Sequence, residues 1–130
     1  QSGNGATANL NIKGDGNTVG VATAGGANNS YTSTLVGNTN TQSVSMTGGG
    51  GNTATIAQSG DSNTLSLTSV GATNNFSIGQ SDGGQTATIS VTGSGNAVTA
   101  NQLGNASGAN VVNITSSGSG NTIATTQMNR

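Results

Sequence analysis

The side chains able to do acid, base or metal chemistry are few. Asp15, Asp61 and Asp82 are the only acids in 130 residues, Lys13 and Arg130 are the only cationic side chains, and there is no His, Cys, Pro or Trp. A Cys nucleophile, a His base and a structural zinc site are therefore excluded. Each Asp lies in or beside a Gly-rich stretch with no base next to it, so the three read as turn residues and no enzyme is expected. In a β protein prone to self-association they would also act as gatekeepers. A calcium-binding β-roll would need an Asp in every repeat. Two cations cannot neutralise a nucleic-acid backbone. No cofactor is expected. The sequons Asn75-Phe-Ser77 and Asn113-Ile-Thr115 arise by chance in such a composition. What remains for recognition is a large stock of amides and hydroxyls.

Their arrangement decides between disorder and structure. Only 29% of residues are apolar and 23 are Gly, against ~45–50% apolar in ordinary soluble domains. Low hydrophobicity of this kind usually means disorder, but disordered chains carry many charges, and here the net charge is −1. No run approaches the ~18 apolar residues of a membrane helix, and no basic, apolar leader opens the chain, so an exported form would have lost its signal.

An amide recurs along the chain at Asn17, Asn29, Asn40, Asn52, Asn63, Asn74, Gln85, Asn96, Asn110 and Asn121, with Ala6 opening one further unit. Seven of the ten steps are 11 residues, two are 12 and one is 14. Positions two, four and six after each of these alternate with polar residues, and 19 of the 24 large apolar residues fall on them. The expected core is Leu10, Ile12, Val19, Val21, Ile56, Leu65, Leu67, Phe76, Ile78, Ile89, Val91, Val98, Val112, Ile114 and Ile123. Alternation with period two predicts strands of about seven residues with one buried face. Gly follows nearly every strand, where a positive φ costs it nothing.

The third inward position is Gln at Gln58, Gln80, Gln102 and Gln127, and another residue in the units between. The true repeat is thus two strands, about 22 residues. Such a chain is an all-β solenoid of stacked strand-turn-strand repeats with two facing parallel sheets. Repeats start at Ala6, Asn29, Asn52, Asn74 and Asn96, with a half repeat at Asn121; residues 1–5 form a short leader before the solenoid of 6–130. Each coil advances by about 4.8 Å. A buried amide needs partners, and identical residues stacked at one strand spacing supply them. Two inward ladders are expected. One is the column of Asn52, Asn63, Asn74, Gln85, Asn96, Asn110 and Asn121, and the other is Gln58, Gln80, Gln102 and Gln127.

The stretch Gln58-Ser-Gly60-Asp-Ser-Asn63 matches the Gln-x-Gly-x-x-Asn core of the curlin repeat, and Asn52-Thr-Ala54-Thr-Ile56-Ala-Gln58 is similar to the strand of that family. Gln80-Ser-Asp82-Gly-Gly-Gln85 is a looser copy. Gln102-Leu-Gly104-Asn-Ala starts the same motif, with three extra residues before Asn110. The chain therefore resembles a diverged curlin, the fibre subunit of curli amyloid. It departs from the family at Thr23, Met46, Ser69, Val91 and Ser116, where Gln commonly closes the second strand, and at Ile12 and Leu35 in the first. The resemblance implies a secreted structural protein of the biofilm matrix on a Gram-negative cell surface. It also implies a nucleator subunit and an outer-membrane secretion channel as partners. The end strands share the internal pattern and carry no Pro or cap, so a homopolymer would meet through Ala8, Leu10 and Ile12 at one end and Ile123, Thr125 and Gln127 at the other. The alternative from another class is an ice-binding solenoid. Its surface would be the hydroxyl-rich outward face of the second-strand sheet, although Gly20 and Asn113 interrupt the ranks.

Overall fold

The computed structural model describes residues 2–104 and 109–129. Eleven strands follow one another: β1 Thr7–Lys13, β2 Thr18–Thr23, β3 Ser30–Val36, β4 Thr41–Thr47, β5 Thr53–Ser59, β6 Thr64–Val70, β7 Asn75–Ser81, β8 Thr86–Thr92, β9 Ala97–Leu103, β10 Val111–Ser117 and β11 Thr122–Met128. Odd strands make one parallel sheet in the order β1-β3-β5-β7-β9-β11, and even strands make a second, β10-β8-β6-β4-β2. Two successive strands, one from each sheet, form a coil. The protein is a β-solenoid, as its periodicity predicts.

Register is set by the inward columns, since a one-residue slip would turn each buried row outward. Ala54 pairs with Phe76 and Gln58 with Gln80, while Leu65 pairs with Ala87 and Leu67 with Ile89. Paired residues are 23 apart in the first two steps, such as Thr7 with Ser30, 22 apart in the next, such as Thr53 with Asn75, and 25 apart in the last, such as Ala97 with Thr122. The extra residue of the early coils sits in their second arch. There the five residues 48–52 join β4 to β5 where the four residues 71–74 suffice to join β6 to β7.

Arches turn through a positive-φ glycine. Gly37 has φ +124°, and a Cβ there would lie 2.1 Å from the Gly60 carbonyl oxygen of the next coil, so coil stacking itself demands glycine. The residue before most inward Asn residues is also left-handed. It is Gly at several, but Asn28, Thr39, Ser62 and Thr73 at others, the two Thr having φ of 55° and 56°. Both Thr hydroxyls donate to the preceding carbonyl, of Asn38 and Ala72.

The core is a single file of side chains between the sheets. Ile56, Leu65, Leu67, Phe76, Ile78, Ile89, Val91, Val98, Val112 and Ile114 are buried as expected. Tyr31, Leu35, Val44 and Met46 join them. Large residues stack beside small ones in a row, as Tyr31 does between Ala8 and Ala54. Leu10 and Ile12, expected in the core, are instead 46% and 45% exposed. They do lie on the inward columns, but β1 is the edge strand of its sheet among the described residues. Val19, Val21 and Ile123 are half-buried against the core for the same reason. Ser2–Gly5, read as a leader, follow the path of an arch: the Ser2 N–H donates to the Thr23 carbonyl, and Asn28 N–H donates to that of Asn4. Gln1, Arg130 and the insertion at 105–108 lie outside the described residues.

Candidate functional site: the amide columns between coils

The stacked amides divide into two kinds of contact. In the Gln column, Gln58 Nε2 donates to Gln80 Oε1 at 2.6 Å, Gln80 Nε2 to Gln102 Oε1 at 2.9 Å, and Gln102 Nε2 to Gln127 Oε1 at 3.4 Å. The same Nε2 groups reach across the coil to strand-start carbonyls, Thr64 from Gln80, Thr86 from Gln102 and Val111 from Gln127. This is an amide-to-amide ladder with a fixed direction. It runs N–H to carbonyl toward the C-terminal coils.

The single Asn column expected from the sequence is two, Asn52, Asn74, Asn96 and Asn121 at one arch and Asn63, Gln85 and Asn110 at the other, because successive residues of the series lie on opposite arches of a coil. Both differ from a purely amide-to-amide ladder. Each side-chain oxygen accepts the backbone N–H of the equivalent residue one coil on. Asn52 Oδ1 takes the N–H of Asn74, Asn74 that of Asn96, and Asn96 that of Asn121. On the other arch, Asn63 Oδ1 takes the N–H of Gln85, and Gln85 Oε1 that of Asn110. The side-chain NH₂ meanwhile donates to an arch carbonyl of that next coil, Gly71 from Asn52 and Gly93 from Asn74. Side-chain-to-side-chain bonds occur at Asn52 to Asn29 and Asn96 to Asn74. What these residues share is their place at the end of an arch, just before a strand, and there Asn and Gln85 alike accept the backbone N–H of the next coil. The last members, Asn110 and Asn121, are only partly buried.

Sequence reasoning missed one polar cluster. In the second coil, Tyr31 and Ser33 hydroxyls both donate to Gln42 Oε1, the Ser33 bond being 2.7 Å. Burial pushes the Tyr31 phenol above its ordinary pKa, and the Ser33 hydrogen bond opposes this. Tyr31, Ser33 and Gln42 stand on three inward positions, which was the available signal. Three buried side-chain atoms among the described residues lack a partner: Thr23 Oγ1, Gln42 Nε2 and Gln58 Oε1.

The residues expected at a subunit contact lie on opposite edges of the odd-strand sheet. Ala8, Leu10 and Ile12 are exposed on β1, while Ile123, Thr125 and Gln127 are half-buried on β11. Asp15 and Asp61 are exposed in arches, where Asp61 Oδ1 accepts the Asn38 N–H. Asp82 has a φ of 68° and takes the place of the arch glycine. A shallow depression of about 420 Å³ lies over Ala57, Gly79, Asn101 and Leu103 and holds no acid or base. Among the described residues no group of three or more His, Cys, Asp or Glu gathers, and no helix is long and apolar enough to cross a membrane.

A parallel two-sheet solenoid with inward amide columns defines the class. Within it, residues 48–71 match the curlin associated repeat. The matched stretch is the third coil, β5 and β6 with their arches, which holds Asn52, Gln58 and Asn63. The curlin resemblance therefore stands on that coil. No curated protein and no solved structure matches the chain.

Proposed function

We propose that this chain is the structural subunit of a secreted, curli-like amyloid fibre, assembling end to end with copies of itself for biofilm matrix, adhesion and surface colonisation. The observation that carries the reading is the exposed inward face of β1. Leu10 and Ile12 continue the internal columns, stacked on Ser33 and Leu35 of β3, yet no strand of the described residues covers their other side. An aliphatic strand edge in register with a cross-β stack is a template for another strand of the same pattern. The curlin associated repeat in the third coil supports the same role. On this reading the fibre is extracellular on a Gram-negative cell, and a nucleator and an outer-membrane channel serve it. The protein then acts by assembly rather than by catalysis.

Seeded growth tests the proposal. Replacing Ile123 with Pro removes a ladder donor from β11 and fixes its φ, so Ile123→Pro monomer should elongate wild-type seeds far more slowly than wild-type monomer does. Ser66→Ala, on the outward face of the internal strand β6, should elongate normally. Growth of Ile123→Pro at the wild-type rate would place the subunit contact elsewhere.

A further inference from the structure

We propose that the step between the second and third coils is a built-in seam, at which β1–β4 open and close as one unit while β5–β10 stay folded. Three independent features meet at this step. The first is the end of the Gln ladder. Gln58 Oε1 is buried and has no donor. The residue stacked beneath it is Leu35, an aliphatic that cannot supply one. Every other oxygen of the column accepts from the Gln one coil below.

The second feature lies on the facing strand below. Gln42 is fully buried, both hydroxyls of its cluster donate to its oxygen, and its Nε2 has no acceptor. Unpaired buried amide groups thus flank the step on both sides, and opening would let water satisfy them. The third feature is the covalent link. The chain crosses from β4 to β5 through Gly48-Gly49-Gly50-Gly51 and then Asn52, and four glycines in a row are the most conformationally free tetrapeptide available. Steps further along cross through residues 71–74 or 93–96, with side chains in the arch.

Opening at the seam breaks two parallel pairings, β3 with β5 and β4 with β6. Local opening of this kind is read by amide exchange. In the folded full-length chain, amides of β1–β4 should exchange together, roughly tenfold or more faster than those of β5–β9. Two substitutions move the boundary in opposite senses. Leu35→Gln supplies a donor to Gln58 Oε1 and shifts the orphan oxygen one coil down, beside half-exposed Ile12, where water reaches it. Protection of β3 and β4 should then rise. Gln58→Leu leaves Gln80 Oε1 without its donor, so the boundary should move up one coil, to between β6 and β7. Uniform protection from β1 to β9 in the wild type would overturn the seam. So would a boundary that stays at β4–β5 in a folded Gln58→Leu chain, or a loss of protection in β3 and β4 with Leu35→Gln.

Discussion

Coils one and two (β1–β4) and coils three to five (β5–β10) share one backbone plan and differ in how their interiors are filled. In the later coils the third inward position of the odd sheet is Gln at every level, and each amide is paired to its neighbour. In the earlier coils the same column is Ile12 and Leu35, and the polar atoms are gathered sideways into Tyr31, Ser33 and Gln42. All three unpartnered buried atoms belong to the early coils or to the oxygen that faces them. A solenoid thus tolerates either aliphatic or amide columns. The cost arises where one kind gives way to the other. The curlin associated repeat matches 48–71, the first coil in which Asn, two aliphatics and Gln all stand in place.

The largest contrast should come from packing. Phe76 is fully buried in the row of Ala54 and Val98, so Phe76→Ala should cost about 3–5 kcal/mol, whereas Leu10→Ala, at 46% exposure, should cost about 1 kcal/mol or less. Chemical denaturation of both variants measures this, and equal losses would erase the distinction between edge and interior. Next comes the ladder. Gln80→Leu keeps the volume but takes the donor from Gln102 Oε1 and the good acceptor from Gln58 Nε2, about 1–3 kcal/mol for each group left unpaired. Ser81→Ala on the outward face should be near neutral. Similar destabilisation by the two would show that the ladder does not carry stability in the later coils.

A smaller effect should be alike in both regions. Thr39 and Thr73 hold a β-branched residue at positive φ, a strain of about 1–3 kcal/mol. Gly relieves it but loses the hydroxyl's bond and adds chain entropy. Thr39→Gly and Thr73→Gly should each stabilise by about 1 kcal/mol or less. Opposite signs would mean that the arches of the two halves are not equivalent.

The smallest effect concerns only the early coils. The folded-state pKa of Tyr31 lies above its unfolded value because burial disfavours phenolate. The neutral phenol's contribution is fully present below about pH 10 and is lost as pH rises through the raised folded value. Ultraviolet titration should show the phenolate appearing above the ordinary range, together with loss of exchange protection in β3 and β4. Titration at the free-tyrosine value in the folded chain would contradict burial of the ring.

The strand pairings and the rows of the core are legible in the sequence because side-chain alternation has only one register that buries every aliphatic. The five large apolar residues off the inward columns are Val36, Val70, Leu103, Val111 and Met128, and all are exposed. The Gln column was equally legible, since Gln has no turn preference to confuse its meaning. The amide-to-amide bonds expected of the Asn series occur at Asn52 with Asn29 and Asn96 with Asn74. The backbone bonds beside them are not legible, because residue type does not tell how far a side chain reaches past its own coil. Leu10 and Ile12 were misplaced because a column pattern says which way a residue points, not whether anything lies below. The Tyr31 cluster is not legible because Gln42 stands on β4, nine residues beyond Ser33, and only the arch folds it back onto β3.

Assembly of the purified full-length chain tests the central claim most directly. Electron microscopy and fibre diffraction would be recorded after incubation at tens of micromolar in near-physiological buffer. Nucleation should be slow, because a first coil must be fixed before its parallel pairings form. Unbranched fibrils should then appear, with a meridional reflection near 4.8 Å, and seeds should remove the lag. A chain that stays folded and monomeric for days under those conditions, with or without seeds, would contradict a fibre-subunit role.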